Sequence, residues 1–220
     1  MALREATTAA SSRRGTTDTG SATREAILKA ACRVIAETGF ERIRMRMVGE
    51  AAGVSTATLH YHFATREKLF AEALRFSFVD TGADVYGSHG ASDTATARLA
   101  RIISASLPSS GPLRREWALW MELWCRAIRD KGSSSLCADL YRQHNGWIEA
   151  TIRDGIEAGE FTVCDPASHA QLISSLCDGY GVQLMTAVPT LTVKDARQVI
   201  WRVASGPLGI DPDFPLGGKS

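Results

Sequence analysis

Apolar residues recur along this sequence at helical spacing, and the residues that begin and end helices lie between them. The first apolar stripe consists of Ile27, Ala31, Val34 and Ile35. Gly39 follows it as a helix stop, and Thr192 with Asp195 three residues later is typical of a capping box. No segment shows the two-residue alternation of a half-buried strand. The sequence therefore predicts an all-α fold of about nine helices.

Composition restricts the class of protein. Hydrophobic residues make up 45% of the chain and charged residues 22%, which is ordinary for a soluble domain. There is no apolar run long enough to cross a membrane, and residues 1–21 lack the apolar core of a secretory signal. The five cysteines are odd in number, widely spaced and without a CxxC pair. We therefore expect a cytoplasmic protein with reduced thiols, no membrane association and a disordered tail over residues 1–21.

Charge is distributed unevenly along the chain. Residues 1–70 hold 11 Lys and Arg against 7 Asp and Glu, whereas residues 71–220 hold 14 against 17. A mildly basic N-terminal segment followed by a mildly acidic remainder is compatible with nucleic-acid binding, although terminal segments often differ in charge by chance.

The stretch GVSTATLHYHF, residues 53–63, contains two histidines that raise the question of a metal site. His60 and His62 are two positions apart, so on a helix they point about 200° apart and cannot share one ion. No acidic or cysteine partner lies one turn away, and no nucleophile is near in sequence. We expect no catalytic residue, no metal and no cofactor, and an isolated HYH would be read as a solvated helix face.

The residues around this stretch favour a helix-turn-helix. A short helix from about Met45 to Ala52, the turn Gly53–Val54–Ser55 and a second short helix give its pattern. The expected internal contacts are Val48, Ala51, Ala52, Val54, Leu59 and Phe63. Hydroxyls and imidazoles on the exposed side of such a helix can bond to base edges or phosphates.

The run TREAILKAACRVIAETGF…VGEAAGVSTATLHYHFATREKLFAEAL, from Thr23 to Leu74, resembles the N-terminal domain of TetR-family transcriptional regulators. The resemblance covers about fifty residues and includes the AGVSxxTLxxHF core. It implies that DNA is contacted from the recognition helix and from the start of the next helix, by Ser55, Thr56, Ala57, Thr58, His60, Tyr61, His62, Arg66 and Lys68. Thr56 replaces a frequent lysine of the family and Ala57 a frequent glycine, so the base preference should differ.

Arg44 departs from the family pattern, because a serine or threonine usually caps this helix. Arg44 and Arg46 are interpreted as phosphate contacts, with a loosened cap and solvated charges as the alternative. In the tail, Arg13 and Arg14 either remain solvated, which we favour, or enter a minor groove.

The resemblance divides the chain into a tail (1–21), a DNA-binding domain (22–68), an effector-binding and dimerisation domain (69–205) and an irregular C-terminal tail (206–220). It also implies a homodimer, which a helix-turn-helix protein needs in order to read two half-sites. The apolar stripes of the last two helices are the predicted interface, with monomer core as the alternative: Ile173, Leu176, Cys177, Tyr180, Leu184, Val193, Ala196, Ile200 and Val203.

Three tryptophans on one predicted helix, at 117, 120 and 124, share a face. They are either core or the wall of a ligand cavity, where indole rings suit flat apolar molecules or cations. The predicted cavity comprises Trp117, Trp120, Met121, Trp124, Tyr141, Trp147, Asp178, Tyr180 and Gln183, with Glu122 and Asp178 as candidate partners for a cation. ELWCRAIRD, LYRQHNGWIEATIRDGIEAGEF and DGYGVQL also resemble the effector domain of the betaine-regulator branch, which hints at an amine-type effector.

The resulting hypothesis is a homodimeric repressor that binds a palindromic double-stranded DNA operator and is released by a small effector. An effector that promotes binding is equally compatible with the sequence. A helical adaptor without DNA binding is a further alternative. An enzyme is disfavoured because no GxSxG, HExxH or phosphate-loop motif is present.

Overall fold

The computed structural model describes residues 2–86 and 93–216; for residues 2–19, 80–81 and 83–86 it describes the backbone alone. Within these ranges the chain forms nine α-helices and one short 3-10 helix (Phe40–Arg42), with no strand, which confirms the predicted fold class. The helices are α1 (Ala2–Thr38), α2 (Met45–Ala52), α3 (Thr56–His62), α4 (Arg66–Tyr86), α5 (Ala95–Ala105), α6 (Gly111–Ala127), α7 (Lys131–Glu157), α8 (Pro166–Met185) and α9 (Val193–Leu208). No helix in the described part of the chain is both long and apolar enough to cross a bilayer.

The first helix differs from the sequence-based expectation. α1 begins at Ala2, so helix covers the described part of the segment 1–21 for which the sequence predicts a disordered tail, including Arg13 and Arg14. Once the buried part of α1 is helical, each further residue adds one hydrogen bond without a new nucleation cost. A polar sequence can therefore continue a helix without burying any apolar surface.

By internal contacts the chain divides into residues 1–77 and 78–220, a boundary nine residues beyond the one expected at 68. The first turns of α4 belong to the first unit because they pack on α1. The Cys32 thiol donates to the Ala73 carbonyl at 3.3 Å, and Arg24 forms an ion pair with Glu72. The Phe40 and Phe70 rings lie 4.6 Å apart. The core of this unit includes Ile27, Ile35, Val48, Leu59, Phe63 and Leu69.

In the second unit α7 packs against α5, α6 and α8, and α9 packs against α5 and α8. Thr94 caps α5, and Glu160 accepts hydrogen bonds from the backbone amides of Ala95 and Thr96 at 3.0 and 3.1 Å. The capping box predicted for α9 is present, since the Thr192 and Asp195 side chains each accept from the other's backbone amide. These caps fix where the helices begin and hold the long helices in register.

The residues predicted as the dimer interface are largely monomer core. Ile173, Ala196 and Ile200 are fully buried within one chain, and Cys177 and Leu184 are nearly so, whereas Leu176, Tyr180 and Val193 are partly buried against that core. The stripe on each helix faces the neighbouring helices of its own unit, so these five side chains are covered within one chain. Among the interface candidates, Val203 is substantially exposed, at 39%.

The C-terminal boundary also shifts. α9 continues through Pro207 to Leu208, and Gly209 ends it in the left-handed conformation with φ of 68°. The Ile210 amide then donates to the Ser205 carbonyl at 3.1 Å. The irregular segment therefore begins three residues later than position 206, because a proline in the last turn interrupts few helical hydrogen bonds. Residues 217–220 lie outside the described part.

Candidate functional site

The turn between α2 and α3 is built from backbone bonds and one side-chain cap. Gly53 takes a left-handed conformation with φ of 68°, and the Val54 amide donates to the Gly49 carbonyl at 2.9 Å. The Ser55 hydroxyl accepts from the Thr58 amide at 3.0 Å and lies 2.8 Å from the Thr58 hydroxyl. Because Ser55 satisfies a free helix-end amide, it fixes the start of α3. The helix-turn-helix predicted from the sequence is thus present.

The two sides of α3 differ sharply in exposure. Leu59 and the following Phe63 are fully buried, whereas Thr56, Ala57, His60 and Tyr61 are exposed, Tyr61 to 86%. The Tyr61 and His62 rings meet edge to face at 5.2 Å. Such a large exposed aromatic contributes little to the core, so its surface is available to a partner. Hydroxyl, imidazole and phenol groups on an exposed helix face are suited to phosphates and base edges.

The basic residues flanking α3 are placed by contacts of their own. The Arg66 guanidinium lies 4.4 Å from the centre of the Phe40 ring, and its Nε is 3.5 Å from Glu67. Arg46 pairs with Glu50 at 3.0 Å, and Lys68 is exposed. Arg44 occupies the cap position of α2 without a side-chain bond to the helix. DNA contact by these residues stays a prediction.

One position of the predicted motif differs in burial from the expectation. Ala51 was expected as an internal contact, but it is exposed on α2. Thr58 and His62 are half-buried at the edge of the exposed face of α3, and the Thr58 hydroxyl is already engaged by Ser55. The surface that α3 offers is therefore centred on Thr56, His60 and Tyr61.

A cavity lies inside the second unit, with about 630 Å³ of unfilled space including the part open to solvent. Half of its lining residues are aromatic, counting His144. The Phe78 and Trp147 rings stack at 4.9 Å, and Trp120 lies 5.4 Å from Tyr141 and 5.9 Å from Trp124. The lining residues are Phe78, Gly82, Ala105, Ser106, Leu113, Glu116, Trp117, Trp120, Trp124, Tyr141, His144, Trp147, Cys177 and Asp178.

A hydrogen-bonded acid is the main polar feature of the cavity. The Tyr141 hydroxyl donates to the Asp178 carboxylate at 2.6 Å. Burial raises the pKa of Asp178 to about 6, and the hydrogen bond from Tyr141 opposes this shift. Burial also raises the pKa of Tyr141 and lowers that of His144 to about 4. At neutral pH the cavity therefore holds a carboxylate, a neutral phenol and a neutral imidazole among aromatic faces.

The structure brings together most, but not all, of the predicted cavity residues. Trp117, Trp120, Trp124, Tyr141, Trp147 and Asp178 line it as expected. Met121, Tyr180 and Gln183 are not among its described lining. Tyr180 packs on the apolar core instead, and the exposed Gln183 amide donates to the Gly179 carbonyl of its own helix at 3.2 Å. The second acid of the lining is Glu116 rather than Glu122, because residue 116 lies one turn before Trp120 on the same face of α6.

The sequence contains a pattern that places His144 in the cavity, although His144 is not among the predicted cavity residues. Tyr141, His144 and Trp147 are three positions apart, so they share a face of α7, and two of them were already cavity candidates. Phe78, at a distant point of the sequence, and Cys177, assigned to the dimer interface, gave no such signal. Only packing shows that they meet the aromatic wall.

Together these features define a helix-turn-helix protein whose other unit contains a ligand-sized aromatic cavity. The sequence profile described as "Bacterial regulatory proteins, tetR family" matches residues 27–73, and that described as "BetI-type transcriptional repressor, C-terminal" matches residues 95–205. The second profile alone covers half of the chain. The chain belongs to the TetR family, with a BetI-type C-terminal domain.

Curated relatives agree at modest identity. The chain is 26% identical over 113 residues to the HTH-type transcriptional regulator BetI of Brucella anthropi, a match covering 51% of this chain and 58% of that protein. It is 24% identical over 159 residues to the BetI of Agrobacterium fabrum, covering 71% of this chain and 73% of that protein.

Solved structures extend the likeness across both units. A protein from Saccharomonospora viridis, assigned as a transcriptional regulator and crystallised in complex with choline, is 30% identical with a TM-score of 0.72. That match covers 86% of this chain and 98% of the other. A protein of Rhodococcus sp. assigned to the TetR family is 26% identical, with a TM-score of 0.72 and coverage of 83% and 97%.

Proposed function

We propose that this protein is a homodimeric transcriptional repressor that binds a palindromic operator and is released by an organic ammonium ion. The proposal rests on two features that occur in the same chain. One is the exposed α3 of a TetR-type helix-turn-helix, and the other is an aromatic cavity that contains the Asp178 carboxylate. The first supplies a surface for DNA, and the second a binding site for a cation.

DNA binding is supported by the chemistry of the exposed face. Thr56, His60 and Tyr61 present donors and acceptors to solvent, and removing them leaves Leu59 and Phe63 in the core. Arg44 and Lys68 are exposed and supply positive charge for phosphates. Neutralising phosphates releases counterions, so part of the affinity should depend on salt.

Cation binding is supported by the walls of the cavity. Faces of indole and phenol rings attract an ammonium ion, most strongly where water is excluded. Asp178 supplies the opposite charge, and its hydrogen bond from Tyr141 holds the carboxylate in place. A quaternary ammonium ion has no N–H to leave unpaired, so a mostly apolar wall suits it. The neighbour from Saccharomonospora viridis binds choline, an ion of this class.

Dimerisation is assigned to the solvent-facing sides of α8 and α9, a face that includes Val203 of the predicted interface but not the buried residues of its stripes. Leu172 on α8 and Val199 and Val203 on α9 are large apolar side chains that are 39–41% exposed. A Cβ added at Gly179 or Gly206 would meet nothing within 4 Å, so both helices offer open, low-relief surfaces to a second copy. Two-fold pairing through this face gives a dimer with two helix-turn-helix units, one for each half of a palindromic operator.

Release requires that the ligand bind the two conformations of the protein with different affinity. Phe78 and Gly82 on α4 line the cavity, and α4 begins at Arg66 with turns that belong to the DNA-binding unit. The ligand therefore contacts a helix that continues into that unit. Shifting the protein from 99% DNA-competent to 1% requires roughly 5.5 kcal/mol of differential affinity.

The test of the DNA-binding part is operator selection. The wild-type protein is expected to select a palindrome from a random duplex pool at moderate salt. The double variant His60→Ala, Tyr61→Ala should lose that sequence while keeping the wild-type oligomeric state and thermal unfolding. Val203→Glu should instead yield a monomer with weak operator binding. Selection of no sequence by the wild type would refute the repressor, and tighter binding of the selected operator on adding choline would reverse the sign of regulation.

A further inference from the structure

A groove in the second unit lies between α9 and residues 211–216, apart from the aromatic cavity. The segment after Gly209 folds back on α9, where the Trp201 indole N–H donates to the Asp211 carbonyl at 3.1 Å. The Trp201 and Phe214 rings lie 5.6 Å apart. The groove is lined by Lys194, Arg197, Gln198, Trp201, Arg202, Pro212, Asp213, Phe214, Pro215 and Leu216.

The charge of this groove is unbalanced. It has three cationic side chains, from Lys194, Arg197 and Arg202, and one acid, Asp213. Two arginines elsewhere in the unit are ion-paired: Arg98 with Asp154 at 2.7 Å, and Arg101 with Asp93. Within residues 2–86 and 93–216, no hydrogen bond or ion pair engages the side chains of the three groove cations.

Arg197 shows the need for an acceptor most directly. Its Nε is buried from solvent and has no partner in the described part of the chain. A buried N–H without an acceptor is destabilising, because neither water nor protein replaces its lost hydration. Arginine also offers several donors in a fixed plane, which matches the two oxygens of a carboxylate.

The remaining lining is apolar. Phe214, Leu216 and the two prolines face the same space as the cations, and the Gln198 amide is a further donor. An inorganic ion would use the charges but not this wall. A ligand that combines one carboxylate with an aromatic or aliphatic body would use both.

We propose that this groove is a second ligand site, which takes small organic carboxylates with Arg197 as the principal anchor. Lys194 and Arg202 add long-range attraction from its rim, and the Phe214 side contacts the apolar body. The chain then has two sites of opposite preference, a cation cavity around Asp178 and an anion groove around Arg197. The groove does not depend on the proposed identity of the cation.

The test uses phenylacetate as the probe and phenylacetamide, its uncharged analogue, as the matched control ligand, with calorimetric titration of the full chain. Phenylacetate is expected to bind saturably, and phenylacetamide is not. Arg197→Gln should weaken phenylacetate binding by about tenfold or more, as expected for loss of a hydrogen bond to a charged group. Arg153→Gln, which removes an exposed arginine paired with Glu149, is the control and should bind as the wild type does.

A further pair of variants separates the two sites. If Arg197→Gln fails to fold, Lys194→Gln with Arg202→Gln changes two exposed rim residues and should still weaken binding. Asp178→Asn should leave phenylacetate binding unchanged, because that residue is in the other cavity. Tighter binding in Asp178→Asn would place the probe in the aromatic cavity and overturn the proposal. It would also be overturned if the wild-type protein shows no saturable phenylacetate binding, or if Arg197→Gln and Arg153→Gln weaken that binding equally.

Discussion

The exposed face of α3 and the aromatic cavity place the side chains proposed to bind DNA and ligand in opposite environments. On α3, His60 and Tyr61 project into solvent and take little part in packing. In the second unit, Trp117, Trp124 and Asp178 are wholly or partly buried, and each also packs against the helices that form the cavity. The difference determines which functions can be altered without altering stability.

On an exposed face, residue identity can change while the fold is kept, so DNA sequence preference is free to diverge. In the cavity, a change of ligand preference also changes packing or desolvation. Asp178 is the clearest case, because the burial that strengthens its attraction for a cation also opposes its ionisation in the empty protein.

The largest expected effect contrasts two neighbouring aromatics at the end of α3. Phe63→Ala should lower the free energy of unfolding by about 3–5 kcal/mol, because Phe63 is fully buried. Tyr61→Ala should change it by less than about 0.5 kcal/mol, since that side chain is 86% exposed, yet should weaken binding to a selected operator. Urea unfolding and operator titration check both values. Equal losses of unfolding free energy in Phe63→Ala and Tyr61→Ala would show that the two side chains do not differ in their contribution to the fold.

The next effect concerns Asp178 and the pH dependence of stability. Its folded-state pKa of about 6 exceeds the ordinary value of 3.8, so the protonated group stabilises the fold at low pH. That stabilisation is complete below about pH 4 and is lost as pH rises through about 6. As pH rises from about 4 to about 6, the unfolding free energy of Asp178→Asn should therefore increase by roughly 2–3 kcal/mol relative to that of the wild type.

Unfolding curves for the two proteins at matched pH values measure this difference. The buried His144 has a lowered pKa and destabilises the fold in acid, but it is common to both proteins and cancels. A difference that is independent of pH would show that Asp178 ionises as an exposed carboxyl does.

The smallest expected effect returns to the exposed unit. Ser55→Ala removes the cap of α3, whose hydroxyl accepts from the Thr58 amide at 3.0 Å. The loss should be about 1 kcal/mol of unfolding free energy, the usual value for such a cap. Thr56→Ala, one position along and exposed, is the control for stability. If the two variants unfold alike, the cap does not set the start of α3.

Local signals in the sequence predicted local structure well. Gly39 and Gly53 both end helices with a positive φ, Gly53 in the left-handed conformation, and Ser55 and Thr192 cap the helices that follow them. Each signal acts within one helical turn, so a single sequence contains it completely. The three tryptophans of α6 share a face for the same reason.

Contacts between segments that are distant in the sequence could not be predicted in the same way. A stripe such as Ile173, Cys177 and Leu184 shows that one side of α8 is buried, but periodicity does not say which surface covers it. The sequence therefore predicts that the stripe contacts a second copy of the chain, whereas helices of the same chain cover it. For the same reason the sequence did not bring Phe78 to Trp147, which is nearly seventy positions away and stacks on it at 4.9 Å.

Control of operator binding by a cation beside Asp178 can be checked by a single titration. Choline is added to the wild-type protein bound to its selected operator, in parallel with Asp178→Asn and with the neutral carbon isostere of choline. Choline should release the wild-type protein, the isostere should not, and Asp178→Asn should require at least about tenfold more choline, as expected for loss of a buried charge contact. Equal release of wild type and Asp178→Asn, or equal release by choline and its neutral isostere, would contradict the account.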